Sequence, residues 1–282
     1  MKKIGVIGSG TMGAGIIQVM AMGGFDVAFT DTYEPAIEKG YALIEKNLAR
    51  MVKKEKATPE ERDAILARIS HSPDMSVVAD ADLVIEAIFE DVEVKKGLFK
   101  TLDELCKPET ILATNTSAIS ITEIGTATKR PDQIIGIHFF NPAPMLELVE
   151  VIRGLVTSEE TEAAVLELVK KIGKTSIRVE ESPGFVVNRI LTPLINEGIS
   201  ILADGIATAE DIDKGMRLGA NHPMGPLELA DLIGLDVMLS ISETLYREFS
   251  DPKYAPHPLL RKMVRAGKLG RKSGIGFYDY RK

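Results

Sequence analysis

Apolar positions fall into two regimes along the chain. Up to about residue 180, short continuous runs alternate with helical periods, and beyond it the period is helical throughout. Ile4, Val6 and Ile7 read as a short buried strand, and Ile16, Ile17, Val19 and Met20 as the inner face of a helix from Thr11 to Met22 that stops at Gly23-Gly24. A second strand spans Asp26 to Thr30. The charged stretch from Glu34 to about Lys56 is helical, and Thr58-Pro59-Glu60-Glu61 is a capping signature that opens another helix to about Ile69. This pair is too long for a plain crossover and is expected to project from the sheet as a helical hairpin. Further strands read at Asp82 to Ala87, Thr110 to Ala113, Gln133 to Phe140 and Leu146 to Ile152, with Leu98, Leu102 and Leu105 lining a helix among them. A helix from Glu159 to Ile172, capped by Ser158, and a strand from Ser176 to Val179 complete the alternation. Ser182-Pro183-Gly184-Phe185 marks the boundary. Beyond it come a long helix that continues through Pro193, another opened by Glu210-Asp211-Ile212, and further helices from Pro226 to Ser250 and Pro258 to Arg265. The expected class is α/β: a doubly wound, mostly parallel sheet with an inserted hairpin over residues 1–183, then an all-α domain over 184–282.

The first strand breaks into Gly8-Ser9-Gly10-Thr11-Met12-Gly13, the G-x-G-x-x-G spacing, and so makes the fold Rossmann-type. Gly8 permits a tight turn, Gly10 lets backbone approach a pyrophosphate, and Gly13 lets the helix pack on the strand while its N-terminus offers unpaired N–H groups. A glycine turn between any strand and helix could look the same. Asp31 decides between the two, because it ends the second apolar run at about the 20-residue interval where a carboxylate meets the ribose hydroxyls. It would also repel a 2′-phosphate, which favours NAD over NADP.

Composition narrows the setting. The 282 residues carry a net charge of −7, which argues against a nucleic-acid partner. The single cysteine, Cys106, excludes an intrachain disulfide and fits a reducing compartment; among Leu102, Leu105 and Pro108 it reads as a half-buried structural thiol. No run reaches the roughly 18 apolar residues of a membrane span, and no leader precedes the first strand, so a cytoplasmic protein is expected.

Other candidates carry two readings each. The cluster Arg50, Lys53, Lys54 and Lys56 is a solvated helix face, the usual meaning of such a run, or a receptor for a phosphorylated substrate. Glu86 and Glu90, with Lys95 a turn onward, follow a strand end where ligands bind, or merely cap a helix and form an ion pair. Asn115-Thr116-Ser117 ends a strand with groups that hydrogen-bond a cofactor or substrate oxygen, or that N-cap the next helix. His138 ends a strand, Asn141-Pro142-Ala143-Pro144 turns the chain, and Glu150 lies inside the next apolar run. A carboxylate there must be paired or protonated. The turn would let it meet the imidazole as an acid–base dyad, and the alternative is a core histidine satisfied by a carbonyl. His222 is expected to be a structural hydrogen-bonder, and no metal site is expected.

Seven segments in order then point to a family: Gly8-Ser9-Gly10-Thr11-Met12-Gly13, Asn115-Thr116-Ser117, Gly136-Ile137-His138-Phe139-Phe140-Asn141-Pro142, Leu148-Val149-Glu150, Gly184-Phe185-Val186-Val187-Asn188-Arg189, Asn221-His222-Pro223-Met224-Gly225-Pro226 and Leu269 to Tyr278. Together they resemble the 3-hydroxyacyl-CoA dehydrogenases from end to end. The compact form, without a fused hydratase, resembles the bacterial 3-hydroxybutyryl-CoA dehydrogenases. The resemblance implies NAD-dependent oxidoreduction of a short-chain acyl-CoA with 3S stereochemistry. It implies that His138 is the catalytic base oriented by Glu150, and that Ser117 and Asn188 hold the 3-oxygen and thioester region. Asp31 would bind the ribose, with Glu90, Lys95, Asn115, Ser117, Asn141 and Lys272 near the cofactor. Asn47, Arg50 and Lys54 fall where the family's hairpin meets coenzyme A, which turns the basic cluster from solvated face to phosphate receptor. Homodimerisation through the helical domain is the family expectation. Leu146 and Glu147 after Met145, where the family commonly has a lysine after the methionine, and Asp91, where Asn is frequent, are departures. Two rivals stand beside this reading: an enzyme on the same scaffold acting on a free hydroxy acid, and a catalytically idle NAD-binding protein.

Overall fold

The computed structural model describes residues 1–281. They fold as two compact units, the first spanning Met1–Ser182 and the second beginning at Pro183.

In the first unit the chain runs β1 (Lys3–Ile7), α1 (Thr11–Met22), β2 (Asp26–Thr30), α2 (Glu34–Lys53), α3 (Pro59–Leu66), β3 (Ile69–His71), β4 (Leu83–Glu86), α4 (Val92–Leu105) and β5 (Ile111–Thr114). It continues through α5 (Ile121–Gly125), β6 (Ile134–Phe139), β7 (Leu148–Arg153), α6 (Glu159–Lys171) and β8 (Thr175–Glu180). All residues of β4, β5 and β6 are buried, as parallel strands covered on both faces must be. The eight strands form one sheet in the order β3-β2-β1-β4-β5-β6-β7-β8, parallel at every pairing except β6 with β7. Chain order reverses between β1 and β4. That reversal opens a crevice at the carboxyl ends of the two strands, where α/β sheets take their ligands. The core beneath is built from Ile4, Val6, Ile16, Ile17, Met20, Phe29 and Leu83.

The hairpin forms with its capping box in place, Thr58 and Glu61 each accepting the other's backbone N–H. Two details differ from the sequence expectation. Helix α2 ends at Lys53, because Glu55 turns into the left-handed region at φ 55°. Helix α3 ends at Leu66, and Ile69, expected as its last residue, instead starts β3, which pairs with β2 as Val27↔Ile69. Three residues with one apolar side chain carry no period, so only the neighbouring strand makes them a strand.

The second unit contains α7 (Val187–Ala203), α8 (Ala209–Gly219), α9 (Pro226–Ile233), α10 (Leu235–Phe249) and α11 (Pro258–Arg265), with Pro193 inside α7. Gly234 at φ 105° breaks the expected Pro226 to Ser250 helix into α9 and α10. Ile195, Ile199, Leu227, Leu235, Met238 and Leu260 form a separate core. Two buried aspartates, which the sequence reading passed over, lock the turns around it. Asp213 accepts the Leu227 and Glu228 N–H groups at 2.8 Å and the Tyr278 hydroxyl at 2.7 Å, capping α9 from another helix. Asp231 accepts the Phe277 and Tyr278 N–H groups at 3.0 Å. Burial pushes its carboxyl above the usual range.

Candidate active site and dinucleotide crevice

The glycine loop joins β1 to α1 beside the end of β4. Gly8 sits at φ 98°, and a Cβ there would lie 2.7 Å from the Ala87 carbonyl oxygen. At Gly13 a Cβ would lie 2.0 Å from the Gly8 carbonyl oxygen, whereas at Gly10 it would meet nothing within 4 Å. The loop is therefore closed toward the sheet and open above Gly10. Helix α1 begins at Thr11-Met12 with Gly10 as a cap that offers no side chain, and its first turn has no acidic residue, so the first N–H groups are left for an external anion. Asp31, just past β2, is held from both sides: one oxygen accepts the Ser9 N–H at 2.8 Å and the Ser9 hydroxyl at 2.9 Å, the other the Tyr33 N–H at 3.0 Å. The residues present fit a dinucleotide, with pyrophosphate over Gly10 and α1 and a ribose at Asp31. Gly40 on α2 completes this fit unannounced by any motif; its Cβ would come within 2.5 Å of the Ser9 carbonyl oxygen.

Further along the sheet edge, β6 and β7 are antiparallel with His138 directly opposite Glu150. His138 Nδ1 lies 2.7 Å from Glu150 Oε2, with His138 4% and Glu150 0% exposed. The carboxylate embedded in the apolar run is therefore paired. On the other ring nitrogen, Nε2 lies 3.2 Å from Ser117 Oγ, and the Phe140 ring tilts against the imidazole at 4.5 Å. Asn115, from the loop that carries Ser117, accepts the Phe139 N–H at 2.9 Å and so ties that loop to the histidine strand.

An ion chain, buried at Glu86 and Lys95 and exposed at Glu90, lies between the glycine loop and Ser117. Lys95 is 1% exposed, with its ammonium 2.5 Å from Glu86 and 3.3 Å from Glu90. Glu90 in turn accepts the Thr116 hydroxyl and, at 2.7 Å, the Ser117 N–H. Lys95 thus lies inside the protein, tied to carboxylates. The departure at Asp91 serves the helix that follows, since its carboxylate N-caps α4 by accepting the Val94 N–H at 3.0 Å. The departure at Leu146 and Glu147 falls on the turn between β6 and β7. Lys174, which no motif in the sequence singles out, organises that turn by donating to the carbonyls of Ala143 at 2.9 Å and Leu146 at 2.7 Å. Burial lowers its pKa. Asn141 is exposed on the same turn.

The remaining candidates are spread more widely. Arg50, Lys53, Lys54 and Lys56 are all exposed at the end of α2. Asn47 is half-buried and donates to the Gln18 side chain at 3.2 Å, so it also fastens α2 to α1. Asn188 lies in the first turn of α7, and Lys272, also in the second unit, pairs with Asp236 at 2.5 Å. Cys106 is buried rather than half-buried, and its thiol is pushed up to about 11 by burial, which makes it inert.

A helix N-terminus left open to an anion, one strand away from a fixed carboxylate, is what a dinucleotide asks of a doubly wound sheet, and it places the chain among the dinucleotide-binding proteins. Residues 3–182 match the family described as 3-hydroxyacyl-CoA dehydrogenase, NAD binding domain, and residues 184–280 match the C-terminal domain of the same enzymes. The chain belongs to the 3-hydroxyacyl-CoA dehydrogenase family, and its cofactor is NAD(H), as the sequence led one to expect. It is 58% identical to a 3-hydroxybutyryl-CoA dehydrogenase of Clostridioides difficile, over 99% of this chain and 100% of that one. Among solved structures it resembles an (S)-3-hydroxybutyryl-CoA dehydrogenase from Ralstonia eutropha, with TM-score 0.96 and 50% identity over the full length of both. It also resembles a diketoreductase described as acting on dicarbonyl compounds, with TM-score 0.87 and 33% identity over 99% of both chains. Among the described residues no helix is long and apolar enough to cross a membrane.

Proposed function

We propose that the chain interconverts (3S)-3-hydroxybutyryl-CoA and acetoacetyl-CoA, with His138 as the acid–base group. The observation that carries this reading is an imidazole bonded on both nitrogens, to buried Glu150 at 2.7 Å and to Ser117 at 3.2 Å. With Glu150 accepting from Nδ1–H, Nε2 keeps the lone pair that removes the 3-hydroxyl proton in oxidation and returns it to the 3-oxygen in reduction. The same carboxylate stabilises the imidazolium formed in between. Ser117 Oγ, on the Nε2 side, hydrogen-bonds the 3-oxygen, and Asn188 is assigned to the thioester region. NAD(H), when bound, supplies the carbon that accepts or gives the hydride exchanged with C3. The loop from Gly8 to Gly13 and Asp31 hold its pyrophosphate and ribose, Glu90, Lys95, Asn115, Asn141 and Lys272 act around it, and Asp31 disfavours NADPH. Exposed Arg50 and Lys54, with Asn47 beside them, take the phosphates of coenzyme A. The short acyl chain rests on the names of the relatives above. A homodimer built through the helical unit and a cytoplasmic setting belong to the same proposal; exposed Ile190, Ile206 and Leu218 support the first and the lone cysteine the second.

The test follows nicotinamide absorbance when purified protein meets acetoacetyl-CoA with NADH or NADPH. NADH is expected to be consumed, and His138→Ala to lower turnover about 10²–10⁴-fold while NADH binding persists. Consumption of NADPH alone would reverse the cofactor preference, and undiminished turnover in the variant would remove His138 from the mechanism. The diketoreductase likeness favours a second reading, action on a dicarbonyl compound, for which free acetoacetate is the probe. Equal turnover of free acetoacetate would support it and leave the hairpin cations without a role.

A further inference from the structure

We propose that Glu86 is a positioning residue for the acid–base site, acting on Ser117 through both ends of the loop that carries it. The proposal rests on the reading of Ser117 as the hydroxyl beside His138 Nε2. Glu86 is the last residue of β4 and is fully buried, and in the parallel ladder it stands level with Thr114, the last residue of β5. One carboxylate oxygen accepts the Thr114 hydroxyl at 2.7 Å, and that hydroxyl oxygen accepts the Thr116 N–H at 3.2 Å. The other oxygen accepts the Ile88 N–H at 2.7 Å and the Lys95 ammonium at 2.5 Å. Lys95 passes the restraint to Glu90, 3.3 Å away, and Glu90 accepts the Thr116 hydroxyl and the N–H groups of Ser117 at 2.7 Å and Ala118 at 3.3 Å.

Residues 114–118 are thus pinned from below by Glu86 and from the open side by Glu90, and one buried ammonium links the two carboxylates. The height of Ser117 above the sheet is set by this loop, and its side chain reaches from there toward His138 at 3.2 Å. A buried ion pair gives little net stability over apolar residues of the same volume, and its use here fits a demand for a fixed arrangement. In the ladder of β1 with β4, Glu86 also stands level with Ile7, the residue before the glycine loop.

The test compares Glu86→Gln, Ser117→Ala and the double variant. Glu86→Gln keeps the side-chain volume and an acceptor for Thr114 but removes the charge that holds Lys95. Its kcat with acetoacetyl-CoA and NADH is expected to fall about 10²-fold, the cost of a misplaced reacting group, with KM little changed. In the Ser117→Ala background the same substitution is expected to cost less than about threefold more, because groups that act through one another are not additive. In heteronuclear NMR, the His138 Nε2 resonance of Glu86→Gln should move in the direction it takes in Ser117→Ala. Full additivity of the two losses, or an Nε2 resonance that stays put while turnover falls, would overturn the proposal. Should Glu86→Gln fail to fold, Thr114→Val cuts the lower link without touching the ion chain and is read the same way, with Thr114→Ser expected to restore turnover. If the native protein does not consume NADH with acetoacetyl-CoA, the functional reading falls, and the NMR comparison alone decides on Glu86.

Discussion

Gly13 carries the tightest steric constraint of the crevice. A methyl group there would lie 2.0 Å from the Gly8 carbonyl oxygen, so α1 would have to move off β1 and carry its N-terminus away from the anion site. Gly13→Ala is expected to cost about 1–3 kcal/mol of overpacking and to weaken NADH binding by tenfold or more in a fluorescence titration. Gly97→Ala, in open space on α4, should leave binding unchanged; equal affinity in both variants would show that the loop tolerates the shift. At this scale the sequence was legible where the constraint is local. The spacing of Gly8, Gly10 and Gly13 and the strand end at Asp31 need only their own neighbours. Gly40 was silent because what forbids a side chain there is Ser9, brought near by packing of α2 on the loop. Asp213 and Asp231 were silent for the same reason: each serves backbone from elsewhere in the chain.

The hairpin shows how one element combines anchoring and reach. Ile37, Ile44 and Leu48 bury the inner face of α2, while the last turn carries Arg50, Lys53 and Lys54 into solvent. Lys54→Ala should raise KM for acetoacetyl-CoA about two- to fivefold, the worth of an exposed charge pair, with kcat unchanged and a larger effect at low salt. A KM indifferent to both substitution and salt would return the cluster to a solvated face. Helix starts were readable at the caps Thr58 and Ser158, but not at Ser120, which caps the five-residue α5 that no apolar period announces. Boundaries were not readable at Lys53, where the stop is a left-handed residue with an ordinary side chain, nor at β3, which exists only as a partner of β2. The turn between β6 and β7 was placed from its prolines, but the lysine that holds its carbonyls comes from the loop before β8 and has no signature of its own.

For the molecule as a whole, the change from alternating to purely helical periods was visible along the chain, whereas the order of strands was not, because period reports burial and not neighbours. The far edge of the sheet also sets acid stability. Glu162 on α6 is 1% exposed and accepts the Arg178 guanidinium at 2.8 Å, and this bond, with the guanidinium charge, holds its carboxyl below the usual range. A depressed carboxyl contributes stability above its unfolded value and loses it as pH falls through the folded one. The native Tm should therefore exceed that of Glu162→Gln near neutrality, with the gap closing between about pH 5 and pH 3. A constant gap would place the effect in packing. The reversal of β6 against β7 has a consequence of another kind. Because side chains alternate along a strand, slipping that pair by a single residue would send His138 and Glu150 to opposite faces of the sheet. Under the role proposed for His138, acid–base competence is then a certificate of correct strand alignment: a chain that refolds out of step would lack the dyad altogether.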